Sequence, residues 1–516
     1  MRRTLLVSAL FSAAVIAGAS ISCTALLGDF TVSGTAADDG GQEAGPATCT
    51  DAQKTCNGTC VSKDDPNAGC ATAVCTPCMA TTNAAPACKA GGCSFACNQG
   101  FADCDGNPAT GCEANTAKDI ANCGKCGDPC GATNTLSPAT CAASKCVFMC
   151  KPAFAHCGMT NASGCETNIM NDMLNCGACG HSCLGGACTM GKCEPFQIAS
   201  ASQPSGLAVG PLNVFFTAPS LAYIERVQRD GKCVPAAPCP QAFLGAAAGD
   251  PLTGQTRGPT AIATDGTDVF FTADAAGLLV KRSAVLPPGA LTTLGPAVST
   301  RPGYIALGGG RVWWTTGFGN ADPAPHLRSI KLDGTGLTTV ANYQTPVTTF
   351  LGTGGVATDA ANVYWASQNG GVYHAAFTDA LCTEGSLTAT PCKQYGSSSG
   401  AYGVAVDDTF VYWTEPTSGT VKRAAKAGGQ SSVIASGQDL PQAIAVLGTF
   451  VYWGNASTTG PTAGTIRRAP QVAATCDAAA CEHVADATAP DAIIAADDGI
   501  YWTNNTASGG VYRLAK

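Results

Sequence analysis

The sequence predicts a mainly β protein. A seven-bladed β-propeller over residues 194–516, closed by its own N-terminal strand, follows a disulfide-rich repeat module with little regular structure over 49–193. Three observations predict this. Seven pairs of adjacent aromatic residues recur through the C-terminal part, and 24 cysteines crowd the 145 residues from Cys49 to Cys193. The aromatic array also ends one strand short, while a matching strand stands just before it.

The pairs are Phe215-Phe216, Phe270-Phe271, Trp313-Trp314, Tyr364-Trp365, Tyr412-Trp413, Tyr452-Trp453 and Tyr501-Trp502, at successive spacings of 55, 43, 51, 48, 40 and 49 residues. Repeats of about 40–50 residues holding several short strands are the signature of propeller blades. One unit shows the strands in order. Gly403–Val406 is the small-residue inner strand, and Asp407-Asp408 turns the chain. Phe410–Thr414 is the second strand, apolar on both faces as a sheet between two blades requires. Gly419–Arg423 and Ser432–Ala435 are the third and fourth. Large rings fill the wedge that widens between blades, which assigns Phe216, Phe271, Trp314, Trp365, Trp413, Trp453 and Trp502 to the propeller core.

The last unit stops after a third strand, Gly510–Leu514, and Phe196–Ser200 resembles the fourth strand Val433–Ser436. Residues 196–200 are therefore expected to complete the last blade, which removes the open edges of the array. Six cysteines fall as local pairs, Cys233 with Cys239, Cys382 with Cys392 and Cys476 with Cys481, each in a connection between third and fourth strands. Cysteines facing each other across a hairpin meet disulfide distances.

In the module, the series Cys88, Cys93, Cys97, Cys104, Cys112, Cys123, Cys126, Cys130 returns 53 residues later as Cys141, Cys146, Cys150, Cys157, Cys165, Cys176, Cys179, Cys183. A partial copy (Cys70, Cys75, Cys78) precedes them, and Cys188 and Cys193 close the series. Spacing leaves the connectivity open. The Cys-Gly-x-Cys-Gly-x-x-Cys element (Cys123–Cys130, Cys176–Cys183) resembles cysteine-rich modules of myxobacterial surface lipoproteins and, more distantly, plant stigma-specific secreted proteins. That resemblance implies extracellular display and no particular chemistry.

Cys-x-x-Cys pairs also bind zinc. An oxidising compartment favours bridges instead, and His156, which aligns with Asp103 in the other copy, reads with His181 as packed or solvated. Asp103, Asp105 and Asn107 stand at calcium-loop spacing, but Pro108 and Ala114 occupy the positions where such a loop needs glycine and a bidentate acid. A polar turn is the expectation and calcium the alternative; no other cofactor or metal is expected.

Residues 1–22 read as a secretory signal: Arg2 and Arg3 lead an uncharged apolar core over 4–19, too short to span a bilayer. Ser20-Ile21-Ser22-Cys23 resembles a bacterial lipobox, with Ser20 where leucine is usual, and the resemblance implies lipidation of Cys23. Parity agrees, because 31 cysteines less Cys23 leaves 30, an even number for full pairing. Residues 23–48, poor in large apolar groups, read as a flexible tether.

A net charge of −8 with 12% charged residues argues against nucleic acid as a partner. Gly396–Gly400 matches Gly-x-Ser-x-Gly by letter but lacks the strand–turn–helix context of a nucleophile elbow. His326, His374 and His483 scatter over different blade positions, and Asp265, Asp359, Asp407 and Asp497 recur at turns where aspartate is a standard turn former. The third-strand cations Lys281, Arg282, Lys422, Arg423, Arg467, Arg468 and Arg513 read as a solvated outer face.

Tyr412-Trp413-Thr414 and Tyr501-Trp502-Thr503 resemble the YWTD propellers of lipoprotein receptors, with Glu415 and Asn504 in place of the aspartate and seven units instead of six. No catalytic constellation is assigned. The expected function is an exported binding or adhesion protein at the cell envelope, membrane-anchored through Cys23 or secreted, presenting the propeller to an extracellular protein or glycan. Loops 285–300, 317–326 and 381–394 are candidate contact regions by length. The alternatives are a lyase- or hydrolase-like propeller enzyme with its site at the channel mouth, resembling virginiamycin B lyases, and a structural envelope component.

Overall fold

The computed structural model describes residues 48–516 except 72–74, 159, 220–222, 232–239, 245–257, 274–276, 286–289, 297–301, 317–326, 344–352, 368–369, 379–380, 385–390, 397–399, 458–462, 473–474 and 478–479. The expected signal, tether and Cys23 lie outside the described residues, as do Cys233, Cys239, His326, Ser397–Ser399 and loop 317–326. Parts of loops 285–300 and 381–394 lie outside them too. None of the described helices is long and apolar enough to cross a membrane. The described residues divide into two compact units, one within 48–98 with 107–111 and one within 99–106 with 112–516.

In the first unit two hairpins, Gln53–Cys56 with Thr59–Ser62 and Ala84–Lys89 with Gly92–Cys97, are held by the bridges Cys49–Cys60, Cys56–Cys75, Cys70–Cys88 and Cys78–Cys93. The second unit opens with the later copies. There Cys123–Cys141 and Cys130–Cys146 are repeated as Cys176–Cys188 and Cys183–Cys193, and Cys104–Cys126 as Cys157–Cys179. One rule covers these copies. Two facing cysteines of a short hairpin (88/93, 141/146, 188/193) bond back to the two cysteines that frame the preceding loop. Each hairpin turns through two residues with positive φ, Ala90-Gly91, Ala143-Ser144 and Met190-Gly191, the conformation of a tight two-residue turn.

The rest of the second unit is the seven-bladed propeller. Its inner strands are Leu207–Val209, Pro259–Thr264, Pro302–Gly308, Thr353–Thr358, Val404–Val406, Pro441–Leu447 and Pro490–Ala496, in blades 1 to 7. The second strands are Asn213–Ala218, Asp268–Ala273, Arg311–Thr316, Asn362–Ser367, Phe410–Glu415, Phe450–Asn455 and Gly499–Asn504. Each blade is an antiparallel meander outward from the inner strand. Phe196–Ala201 is the outermost strand of blade 7, with Phe196 opposite Arg513 and Ala201 opposite Gly509. The expected closure is thus observed, and inner strands meet all round the ring, blade 7 against blade 1 included.

Successive residues of a strand point to opposite faces, so each aromatic pair serves two interfaces. The first ring of one blade packs in the same core as the second ring of the next: Phe215 with Phe271, Phe270 with Trp314, Trp313 with Trp365, Tyr364 with Trp413, Tyr412 with Trp453, Tyr452 with Trp502, and Tyr501 with Phe216. All of these rings are buried.

A threonine after the pair couples neighbouring blades. Thr217, Thr315, Thr414 and Thr503 each accept an inner-strand N–H of their own blade (from Gly206, Tyr304, Gly403 and Ala492). Each donates to an inner-strand carbonyl of the next blade, at Thr260, Gly354, Gln442 and Ser205. The shortest of these bonds is Thr414 to Gln442, 2.6 Å. Gly403 has to be glycine for the blades to come so close, because a Cβ there would clash with the Gln442 carbonyl.

The third-strand cations correct the sequence reading. They do not form a solvated face, because the fourth strand and the adjoining blade cover them. Arg513 is 2% exposed, with its guanidinium 5.7 Å from the Phe196 ring. Arg468 lies 4.3 Å from the Phe450 ring and pairs with Glu482 at 2.7 Å. Lys422 pairs at 2.9 Å with Glu415, itself 2% exposed, whose carboxylate also accepts the Trp413 indole N–H and the Ser418 and Thr420 hydroxyls. Glu415, standing where the YWTD pattern has aspartate, is therefore a buried structural hub.

Of the three cysteine pairs expected in the propeller, two are bridged within the described residues and depart from the expected hairpins. The third, Cys233 with Cys239, falls in the segment 232–239 outside those residues. Cys382 bonds Cys392 within blade 4, but the segment Cys382–Glu384 runs parallel to the outer strand of blade 3, with Ala341 opposite Cys382. Cys476 bonds Cys481 within blade 6, while its backbone pairs with Ile434 and Ser436 at the outer strand of blade 5. Each of these two bridges clamps a strap from one blade onto the rim of the blade before it, where an open edge would otherwise invite pairing with another chain.

Candidate ligand site at the channel mouth

The threonine contacts fix which residues are equivalent at the start of each inner strand. The carbonyls receiving the threonines belong to Ser205, Thr260, Gly354 and Gln442; strand register adds Gly303, Tyr402 and Asp491 in the other blades. One residue further on, the positions are Gly206, Ala261, Tyr304, Gly355, Gly403, Ala443 and Ala492. Most are small, as the crowded axis demands. Tyr304, Tyr402, Gln442 and Asp491 depart from that pattern, and they stand together at one mouth of the channel.

Blade 4 offers only Gly354-Gly355 there, and its neighbours fill the space. The Tyr304 hydroxyl of blade 3 donates to the Tyr402 hydroxyl of blade 5 at 2.6 Å, with ring centroids 5.9 Å apart and edge to face. The Gly355 N–H donates to the Tyr402 carbonyl at 2.6 Å, and a Cβ on Gly354 would clash with that oxygen. Across the seam between blades 7 and 1, Asp491 Oδ2 accepts the Ser205 hydroxyl at 2.5 Å and the Asn505 amide at 3.1 Å. Burial holds both phenols above their ordinary pKa, and the charge on Asp491 acts on each in the same direction.

Sequence reasoning missed this group. The signal that could have found it is the departure from the blade repeat: a large or charged side chain where the other copies keep Gly, Ala, Ser or Thr.

The turn aspartates lie at the opposite end of the inner strands. Asp265, Asp359 and Asp407 accept backbone N–H groups of their own turns, and Tyr364 and Tyr412 donate to Asp359 and Asp407 at 2.7 Å. In blade 7 the tyrosine partner is Asp498, while the exposed Asp497 pairs with Arg229 of blade 1. His374 stacks on Tyr364 in blade 4, and His483 sits exposed on the outer strand of blade 6 beside Asp486, so neither reaches the channel mouth. In the repeat module, Glu113 joins Asp103 and Asp105, with one oxygen of each within 4.8 Å of the others. Its carboxylate accepts the Cys104 and Asp105 N–H groups, as Glu166 accepts that of Cys157 in the next copy. His156 bonds the Gly164 carbonyl and Glu166.

The fold defines a disulfide-rich seven-bladed β-propeller protein, and its bridges point to an oxidising, extracytoplasmic compartment. Among solved structures the chain is similar to a streptogramin B lyase (16% identity, TM-score 0.45, over 62% of this chain and 96% of that one). It is similar to virginiamycin B lyase from Staphylococcus aureus (16%, TM-score 0.44, over 63% and 98%) and to a chain of a nidogen/laminin complex (17%, TM-score 0.33, over 50% and 89%). At such identities none of their chemistry transfers. No protein-family model and no curated protein matches the chain.

Proposed function

We propose that the chain is an extracytoplasmic binding protein, anchored by a lipid on Cys23, whose disulfide-linked module presents the propeller to an extracellular protein or glycan. The observation that supports this reading most is the channel mouth. The starts of the inner strands and the residues leading into them place Ser205, Thr260, Tyr304, Tyr402, Gln442 and Asp491 in one ring, each blade contributing a different polar group or none. A constant frame with side chains varied at one position suits recognition, because the frame fixes geometry while the variation sets specificity.

The test is to immobilise the oxidised protein from residue 24 onward and probe it with arrays of extracellular proteins and glycans. Retention of a defined member by the folded protein, and not by the reduced and unfolded chain, is the expected result. A folded protein that retains nothing overturns the proposal.

A further inference from the structure

We propose that the channel mouth binds an organic cation, the ammonium or guanidinium group of a ligand, on Oδ1 of Asp491, in the ring of inner-strand positions that also holds Tyr304 and Tyr402. This rests on the reading of the propeller as a binding module and names the chemistry of its ligand. Asp491 is the single charged residue on the seven inner strands. Its carboxylate is oriented in advance: Ser205 and Asn505 both donate to Oδ2, and Oδ1 accepts no hydrogen bond from the described residues. A half-buried carboxylate without a cation gains most from a ligand that brings one.

Among the described residues of this ring, no side chain supplies that charge. The positions equivalent to Asp491 carry Ser205, Thr260, Gly303, Gly354, Tyr402 and Gln442, all neutral. Both phenols stay protonated at ordinary pH, so the described residues of the ring carry one negative charge and two aromatic rings, groups that attract ammonium and guanidinium ions. A hard metal ion fits less well. Calcium takes six to eight oxygens, commonly several carboxylates, whereas here a single acid stands among side chains already bonded to it or to each other.

Calorimetric titration of the full oxidised chain at low salt tests this, using N-acetyl-lysine methylamide, N-acetyl-arginine methylamide, n-butylammonium, the uncharged N-acetyl-norleucine methylamide, and calcium chloride. The basic probes should bind and the norleucine probe should not. Asp491→Asn should weaken the basic probes about tenfold or more, while Asp408→Asn, exposed on a turn at the other end of blade 5, should leave them unchanged. Tighter binding of the amino-acid probes than of n-butylammonium marks a basic side chain of a protein as the source; the reverse marks a small amine.

Should Asp491→Asn fail to fold, 3-fluorotyrosine placed at 402 in the otherwise unaltered chain gives the same answer. Its fluorine resonance should move saturably with the basic probes and stay still with norleucine. Equal response to norleucine, no response to any basic probe, undiminished binding in a folded Asp491→Asn, or binding of calcium alone overturns the assignment. If an array partner is retained equally by wild type and Asp491→Asn, the cation site falls and the binding function stands; an empty array removes the binding function itself.

Discussion

Tyr501 and Phe216 share one core. The first ring of the last blade packs with the second ring of the first, as Tyr412 packs with Trp453 between blades 5 and 6. The seam where the chain's two ends meet is therefore built like the internal interfaces. It is reinforced by the outer strand Phe196–Ala201, by Thr503 donating to the Ser205 carbonyl, and by Arg229 of blade 1 reaching Asp497 and Asp498 of blade 7.

The inter-blade threonines should be measurable one at a time. Thr414→Val keeps shape and removes both bonds, leaving the Gly403 N–H and the Gln442 carbonyl without this partner. A loss of about 1–3 kcal/mol in denaturant unfolding is expected, together with faster amide exchange at Gly403. An unchanged midpoint would show that the coupling contributes nothing.

Glu415→Ala removes the carboxylate that pairs with Lys422 and accepts the Trp413 indole. Breaking a buried pair on one side costs about 3–5 kcal/mol, and the residual exposure of Lys422 places this variant near the lower end. Replacing Glu415 and Lys422 together by Met should recover much of the loss in the same unfolding assay.

The Asp359 carboxylate gives a pH signature. Burial alone disfavours its charge, but Lys426 of blade 5, the amides of Ala361 and Asn362, and the Tyr364 hydroxyl together hold its pKa well below the usual carboxylate range. A group with a depressed folded pKa stabilises the fold fully above its unfolded value, about 3.9, and loses that contribution as pH falls toward the folded value. The stability difference between wild type and Asp359→Asn should therefore be constant above about pH 5 and shrink below about pH 4. A difference that persists undiminished into strong acid contradicts the ion pair with Lys426.

Metabolic labelling with a fatty-acid precursor should modify the wild-type chain and not Cys23→Ala. Equal labelling of both removes the lipid anchor from the proposed function.

The fold was largely legible because its two strongest signals are local. Adjacent aromatics must point to opposite faces of a strand, so Tyr412-Trp413 announces a sheet buried on both sides. A missing fourth strand after Leu514 and a spare one at Phe196 announce closure. The disulfide partners were not legible: the 53-residue period shows that copies pair alike but not that Cys141 and Cys146 bond back to Cys123 and Cys130. The straps were hidden for the same reason, since Cys382 finds its backbone partner on another blade. Arg513 and Lys422 look solvent-facing in the sequence because charge ordinarily marks solvent, whereas the outer strand and neighbouring groups enclose them. The channel mouth was hidden because Tyr304 and Asp491 look ordinary until the seven inner strands are aligned by the bonds of their threonines.

The closed ring is tested most directly by amide hydrogen exchange over residues 509–515 in two propellers, one of residues 194–516 and one of residues 202–516. If Phe196–Ala201 is the outer strand of blade 7, the longer chain should protect the outward-facing amides of 509–515 as strongly as those of Thr420–Ala425, the same strand of blade 5. The shorter chain should lose that protection. Equal protection in both chains would show that the last blade is complete without the N-terminal strand, and would contradict the closure on which the ring depends.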